Sequence, residues 1–294
     1  MAISAQDVKS LRDRTGAGMA DCKKALEEAE GDMDVAIEVL RKKGAATAAK
    51  RADKAANEGV IATATSDDRR RAAIVEVNCE TDFVARNEEF STFTRKLAQH
   101  VLDTEPADMD SLLNSDMEGK SVQTWLNELL GKFSERIEIR RFDVVKTEGG
   151  IVADYVHNGD KLAVLVEITD TEGATGTLGR DIAMQVAAMN PSYVKREEIP
   201  SSVLDKEREI YREQVLNEGK KPEFADKIIT GRLEKYFADS CLLEQTFVKD
   251  STRQIREILA ELSKNTGKDI SVVRFMRYNL GESTPASGAS SSGE

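Results

Sequence analysis

The sequence predicts an α+β protein with an N-terminal three-helix bundle, two repeated α+β subdomains and a helical hairpin. Three observations support this fold class. The first 44 residues contain three short stretches with apolar residues at helical spacing. The centre of the chain contains two segments that match each other at a constant offset. After Pro200, two long stretches again have helical spacing, and Gly219 and Pro222 separate them.

The N-terminal bundle is predicted at residues 1–44. Ser4 and Asp7 have the spacing of a capping box, so we expect the first helix to begin there. Asp32 predicts the start of the third helix, which we expect to end at Gly44. Residues 45–57 are rich in Ala, Lys and Arg without an apolar stripe, and they predict a linker between the bundle and the remainder. Whether this linker is helical stays open.

The internal repeat has an offset of 91 residues, which separates Gly59 from Gly150 and Ala73 from Val164. Each copy predicts a strand, a loop, a strand and a helix, so we expect two similar subdomains, each with an antiparallel sheet and helices packed on it.

The boundaries of these units follow from the same patterns. We place the first subdomain at residues 58–145 and the second at 146–281, with the helical hairpin inserted at about 203–238. The Ser- and Gly-rich end, residues 282–294, is predicted to be disordered.

Composition limits the classes of partner. The net charge of −11 and pI near 5.0 disfavour binding to a phosphate backbone, so we expect no nucleic-acid partner. We expect no membrane contact, because no run of 18 apolar residues occurs and Ser4 onward resembles a capped helix more than a signal peptide. Three widely spaced cysteines indicate reduced thiols in a cytoplasmic protein.

The sequence does not predict an enzyme. His100 and His157 are the only histidines; we expect a surface or capping role for His100 and an exposed turn for His157. No spacing of His or Cys indicates a metal site. A glycine-rich stretch lacks the spacing and the lysine of a phosphate-binding loop; its residues are Gly173, Gly176 and Gly179. We therefore expect no cofactor, metal or nucleotide of the chain's own.

One loop has features that a fold alone does not explain. A strand-like run ends near Val77, and Phe83 follows on the connection beside the carboxylate of Asp82. Such a ring is either buried under its own domain or directed at a partner. At the 91-residue offset Thr81-Asp82-Phe83 aligns with Glu172-Gly173-Ala174, so the ring is not repeated. A ring needed by a core common to both halves should recur, which favours a partner without excluding burial.

This loop belongs to the first of three segments that resemble the bacterial elongation factor Ts family, the nucleotide exchange factors of elongation factor Tu. The segments are Asn78-Cys79-Glu80-Thr81-Asp82-Phe83-Val84, the N-terminal Thr15-Gly16-Ala17-Gly18-Met19 followed by Asp21-Cys22-Lys23-Lys24-Ala25-Leu26, and Leu242-Leu243-Glu244-Gln245-Thr246-Phe247-Val248. Thr246 stands where the family usually has proline. The segments occur in the family's order and span most of the chain.

The resemblance implies a ubiquitin-associated-like bundle at the N-terminus and a guanine nucleotide exchange factor acting in translation elongation in the cytoplasm. It implies binding to elongation factor Tu in the GDP-bound and nucleotide-free states, as a 1:1 heterodimer or a 2:2 assembly. Four residues would intrude beside the partner's nucleotide and displace its Mg²⁺, so that GDP leaves and GTP can bind: Thr81, Asp82, Phe83 and Val84. Four others would bind the partner: Lys23, His157, Phe247 and Val248.

Roles without any partner contact stay open for these four residues: Lys23 as a solvated lysine, His157 as an exposed histidine, and Phe247 and Val248 as a pair in the core. An alternative function is an interaction scaffold whose N-terminal bundle binds a peptide or a ubiquitin-like protein. That function would leave the Asp82-Phe83 loop without a role.

Overall fold

The computed structural model describes residues 3–51, 53–169, 177–219 and 222–282. Its helices are α1 (Ala5–Thr15), α2 (Met19–Glu28), α3 (Met33–Arg51), α4 (Asp82–Ala85), α5 (Glu88–Thr104), α6 (Met109–Asn114), α7 (Val122–Phe133), α8 (Leu178–Met189), α9 (Ser201–Asn217), α10 (Pro222–Ser240) and α11 (Ile255–Thr266). Its strands are β1 (Glu58–Thr65), β2 (Arg71–Cys79), β3 (Asp116–Met117), β4 (Lys120–Ser121), β5 (Ile137–Lys146), β6 (Ile151–Val156), β7 (Leu162–Ile168), β8 (Thr246–Phe247), β9 (Asp250–Gln254) and β10 (Val272–Asn279). The predicted α+β class is confirmed.

Two predicted features fall outside these ranges. They are the tail from residue 283 onward and the aligned triplet Glu172-Gly173-Ala174. The division of the chain into units at residues 44, 57, 145 and 281 stays a prediction.

The N-terminal helices α1, α2 and α3 pack around a small apolar core that contains Leu11 and Leu26. Ser4 and Asp7 form the predicted capping box: the Asp7 N–H donates to Ser4 Oγ at 3.1 Å, and the Ser4 N–H donates to Asp7 Oδ2 at 3.0 Å. Asp32 caps α3 by accepting from the N–H of Val35 at 3.0 Å. These helix starts follow directly from local sequence.

The predicted end of the third helix at Gly44 is wrong, because α3 continues to Arg51. Gly44 lies where α3 crosses α7, and a Cβ at this position would lie 2.4 Å from the backbone oxygen of Asn127. A Cβ at Gly131 of α7 would lie 3.8 Å from Gly44 Cα. Gly44 is therefore required for the close approach of two helices, and the first residues of the predicted linker are part of α3.

Replacing Gly44 with alanine should lower the free energy of unfolding by about 1–3 kcal/mol, because the added methyl group would collide with the backbone of α7. Gly231→Ala is the matched control. Gly231 also lies in a helix, α10, but among the described residues nothing lies within 4 Å of its Cβ position. That change should stabilise the protein by about 0.5–1 kcal/mol. Urea unfolding of both variants tests this, and equal effects would contradict the role given to Gly44.

The two halves each contain a three-stranded antiparallel sheet, with strand orders β1-β2-β5 and β10-β7-β6. The predicted repeat is visible in the backbone. A Cβ at Gly59 would lie 2.2 Å from the oxygen of Val77, and a Cβ at Gly150 would lie 2.0 Å from the oxygen of Ile168. Both pairs are related by the 91-residue offset, so the same close strand approach occurs twice.

Helices α5 and α7 cover one face of the first sheet, and α8 and α11 cover the corresponding face of the second. The remaining faces form one shared apolar cluster, which contains equivalent residues of the two halves: Ile61 and Val152, Ile74 and Leu165, and Val145 and Tyr278. At the edge of this interface the Thr63 hydroxyl donates to Asp154 Oδ2 at 2.7 Å, and these two positions are again 91 residues apart. The two halves thus pack through equivalent surfaces.

The helical hairpin consists of α9 and α10 and is slightly longer than predicted, since it begins at Ser201 and ends at Ser240. Pro222 is the first residue of α10. This position tolerates proline, because a backbone N–H there would have no partner within the helix. Arg232 of α10 donates to Gln214 of α9 and to Glu218, the residue that follows α9, both at 2.7 Å. None of the helices described is long and apolar enough to cross a membrane.

Candidate partner-binding site

The loop after β2 leads directly into the single turn of α4. Phe83, the second residue of this turn, is 83% exposed, whereas the next two residues, Val84 and Ala85, are buried in the core of the first half. The turn is therefore anchored by one side and presents the ring on the other. Of the two interpretations left open by the sequence, burial of Phe83 under its own domain is wrong.

Thr81 caps this turn and is itself held by Glu135, which follows α7. The Thr81 hydroxyl donates to Glu135 Oε1 at 2.7 Å, and the Thr81 N–H donates to Glu135 Oε2 at 3.0 Å. The same hydroxyl accepts a hydrogen bond from the N–H of Val84 at 3.4 Å. One carboxylate thus fixes both the backbone and the side chain of Thr81, the residue that caps α4.

Glu80, one residue earlier, is held from two sides. Its carboxylate accepts the backbone N–H of Arg136 at 2.6 Å, and Arg51 Nη1 lies 2.6 and 2.7 Å from its two oxygens. The Arg136 N–H and the Arg51 guanidinium lower the pKa of Glu80, so this carboxylate stays ionised. Arg51 is the last residue of α3, so the N-terminal bundle contacts the chain next to the loop.

Asp82 adds a negative charge beside the ring. It forms an ion pair with Arg86 at 3.0 Å; the Arg86 side chain lies largely in solvent and the Asp82 side chain is partly exposed. Exposed pairs of this kind contribute at most about 1 kcal/mol. A partner's groups can therefore replace Arg86 at little cost, and the turn offers an apolar ring and a carboxylate together.

The cysteine next to the loop, Cys79, is a buried thiol. Burial, with the charges of Glu135 and Glu58, raises the pKa of Cys79 to about 12, so its thiol stays protonated. Cys22 and Cys241 are also buried. Within the described ranges no three His, Cys, Asp or Glu side chains are grouped as metal ligands.

The other predicted contact residues lie on different parts of the fold. Lys23 is exposed on α2, where its ammonium lies 3.8 Å from Glu27. His157 is exposed in the turn between β6 and β7, and its Nδ1 lies 2.8 Å from the Tyr155 hydroxyl oxygen. These residues belong to the bundle and the second half, so a partner that touches Phe83 as well would have to extend over both.

The late segment contributes one exposed residue and one buried residue. Val248 is 45% exposed, whereas Phe247 is only 7% exposed and packs in the core of the second half. Buried Gln185 of α8 holds the segment, since it accepts the N–H of Val248 at 2.8 Å and donates to the oxygen of Thr246 at 3.1 Å. Of the predicted pair, only Val248 can contact a partner in this conformation.

Three supporting residues were not predicted: Arg51, Glu135 and Gln185. Gln185 leaves a recognisable signal, because it is a polar residue on the apolar face of α8. Arg51 and Glu135 leave none, since their partners are 29 and 54 residues away in sequence.

Comparison with known proteins identifies a family for this chain. The family model described as Elongation factor TS matches residues 80–282, which include the Phe83 loop and the late segment. A protein of Prosthecochloris aestuarii named Elongation factor Ts is 47% identical over 284 residues, covering 95% of this chain and 99% of the relative. Proteins of the same name are 48% identical in Chloroherpeton thalassium, with 95% and 99% covered, and 44% identical in Clostridium perfringens, with 95% and 93% covered.

Proposed function

We propose that this chain, which belongs to the elongation factor Ts family, promotes guanine nucleotide exchange on elongation factor Tu. Membership of the family gives the chain a role in translation elongation; the exchange reaction and the residues that drive it are the proposal. The observation that carries it is Phe83, a large apolar ring 83% exposed on an anchored turn. The proposal places the protein in the cytoplasm with its partner.

The ring would supply binding energy only when the partner opens. Burying an exposed Phe side chain contributes about 1.5–3 kcal/mol, or about a 10- to 150-fold change in an equilibrium. If the pocket for the ring exists only in the open, nucleotide-releasing state of the partner, this energy favours release. The anchored turn loses little conformational freedom on docking, so little of that energy is offset.

The target of the loop in this proposal is the partner's Mg²⁺. The ion neutralises the phosphates of GDP, so its displacement removes a large part of the electrostatic attraction that holds the nucleotide. Thr81 fixes the turn, Val84 anchors it, and Phe83 takes the position beside the nucleotide. Asp82 brings a carboxylate that engages partner groups or repels the diphosphate.

Further contacts must contribute if exchange accelerates by more than about two orders of magnitude, since one Phe side chain supplies no more than this. Lys23, His157 and Val248 are exposed and lie on three different elements, so they can stabilise the open partner at separate points. The coupling is reciprocal: if the protein weakens GDP binding by some factor, GDP weakens binding of the protein by the same factor.

The proposal is tested by loading elongation factor Tu with fluorescent GDP and adding excess unlabelled nucleotide with increasing amounts of the protein. We expect the release rate to rise with protein concentration and then saturate. Binding without faster release would contradict nucleotide exchange and favour the scaffold function. Absence of binding to elongation factor Tu would contradict nucleotide exchange outright.

A further inference from the structure

We propose that Glu135 is a positioning residue that keeps Phe83 projecting before the partner binds, and that the Arg51–Glu80 pair ties this position to the N-terminal bundle. The inference rests on the proposed function. It extends that function to residues outside the matched loop motif, and it concerns how the free protein is prepared for exchange.

Two pairs of neighbouring residues, Glu80-Thr81 and Glu135-Arg136, are joined by two hydrogen bonds, one in each direction. The carboxylate of Glu135 accepts the N–H of Thr81, and the carboxylate of Glu80 accepts the N–H of Arg136. The end of β2 and the turn after α7 are thereby joined by hydrogen bonds in both directions. Ser134 ends α7 in the left-handed conformation, with φ of 56°. The chain leaves the helix at this residue, and Glu135 is the first residue after it.

Glu135 also sets the direction of the Thr81 hydroxyl. Because the hydroxyl gives its proton to Glu135 Oε1, its lone pairs remain to accept the N–H of Val84. This N–H is one of the unpaired donors at the start of α4. Loss of the carboxylate frees the hydroxyl to rotate and weakens the cap of the four-residue turn that bears the ring.

Burial alone cannot determine where the ring points. Phe83 is 83% exposed, so the backbone of α4 sets the direction of its Cα–Cβ bond and the rotamers from which the ring projects. That backbone depends on the buried neighbours Val84 and Ala85 on one side and on the cap at Thr81 on the other. A loosened cap would let the ring sample several directions, and the partner would then have to pay the ordering entropy on binding.

Arg51 brings the bundle into the same arrangement. It lies at the end of α3 and binds both oxygens of Glu80, which in turn holds the N–H of Arg136 next to Glu135. The bundle therefore braces the loop through α3, and its effect on exchange need not depend only on its own partner contacts.

The test is a double-mutant cycle on the saturated rate of GDP release. Glu135→Ala should lower this rate by about 10-fold in the parent, a factor expected from losing hydrogen bonds to a charged group, but by less than about 2-fold in the Phe83→Ala background. Glu135→Gln, which keeps an acceptor oxygen, should lie between the parent and Glu135→Ala. Arg51→Ala should show the same dependence on Phe83 with a smaller loss. Glu261→Ala on α11, which removes an exposed ion pair with Arg253 of β9, is the control and should leave the rate unchanged.

Hydrogen exchange of the free protein supplies a readout independent of the partner. The N–H groups of Val84, Ala85 and Arg86 should exchange faster in Glu135→Ala, because they form the bonds of α4. The positioning role would be overturned if Glu135→Ala lowered the GDP release rate equally with and without Phe83, or did not lower it at all. Unchanged hydrogen exchange at α4 in Glu135→Ala would overturn it too. An unimpaired Phe83→Ala protein would overturn it as well. Failure of the parent to accelerate GDP release would instead overturn the proposed function.

Discussion

Phe83→Ala is expected to slow GDP release from elongation factor Tu by about 10- to 150-fold at saturating protein. The ring is 83% exposed in the free chain, so its removal leaves no cavity in the core. The loss should therefore appear in the release rate and not in the stability of the protein. Release is measured by stopped-flow fluorescence of labelled GDP, and stability by urea unfolding.

The chain offers a matched control for this substitution. Phe224 of α10 is also an exposed phenylalanine, 53% accessible, but it lies on the helical hairpin. Phe224→Ala should leave the saturated rate within about 2-fold of the parent if hairpin residues are outside the exchange site. A Phe83→Ala protein that releases GDP as fast as the parent would show that the exposed ring is not used for exchange.

The largest loss of stability is expected for Arg141→Ala, at about 3–5 kcal/mol. Glu76 lies on β2 with its side chain fully buried, and its Oε2 accepts from Arg141 Nε at 2.6 Å. The Arg141 guanidinium also lies 3.9 Å from the ring centroid of Tyr278, across the interface between the halves. Arg140 Nε is 3.9 Å from the other oxygen, beyond hydrogen-bond distance. Removing Arg141 would leave a buried carboxylate without its main partner.

The repeat supplies the control for this prediction. Glu167 and Arg274 form the equivalent pair in the second half, with an N–O distance of 2.7 Å. The Arg274 side chain is 55% exposed, however, against 9% for Arg141. Glu167 itself is buried, but loss of the exposed Arg274 side chain would let water reach its carboxylate. Arg274→Ala should therefore cost about 1 kcal/mol, well below the loss for Arg141→Ala. Urea unfolding of both variants decides this; equal losses would contradict the importance given to burial of the first pair.

The repeat was predictable only in part from the sequence. The strands β1 and β2 and their counterparts β6 and β7 share one offset, which made them visible. The third strands, β5 and β10, share a different offset, since Arg141 corresponds to Arg274, 133 residues later. The same offset of 133 relates Val122 at the start of α7 to Ile255 at the start of α11. The inserted helical hairpin changes the offset, and so α7 and β5 were not predicted.

The roles of some glycine and charged residues could not be predicted from the sequence around them, because they depend on tertiary contacts. Gly44 was interpreted as a helix end because glycine often has that role, but here it permits contact with α7, which no local pattern reveals. The sequence favours an exposed Phe83, because the ring is absent from the second copy, but it leaves burial open. The hydrogen bonds from Thr81 to Glu135 could not be inferred from the sequence, because they depend on the tertiary structure that brings the end of α7 next to the end of β2.

The most direct test of the mechanism compares parent and Phe83→Ala proteins in GDP release with Mg²⁺ present and after its removal by a chelator. If the loop acts by displacing the ion, the two proteins should differ strongly with Mg²⁺ and much less without it, since no ion is then left to displace. The same ratio of rates under both conditions would show that the ring acts on something other than the metal.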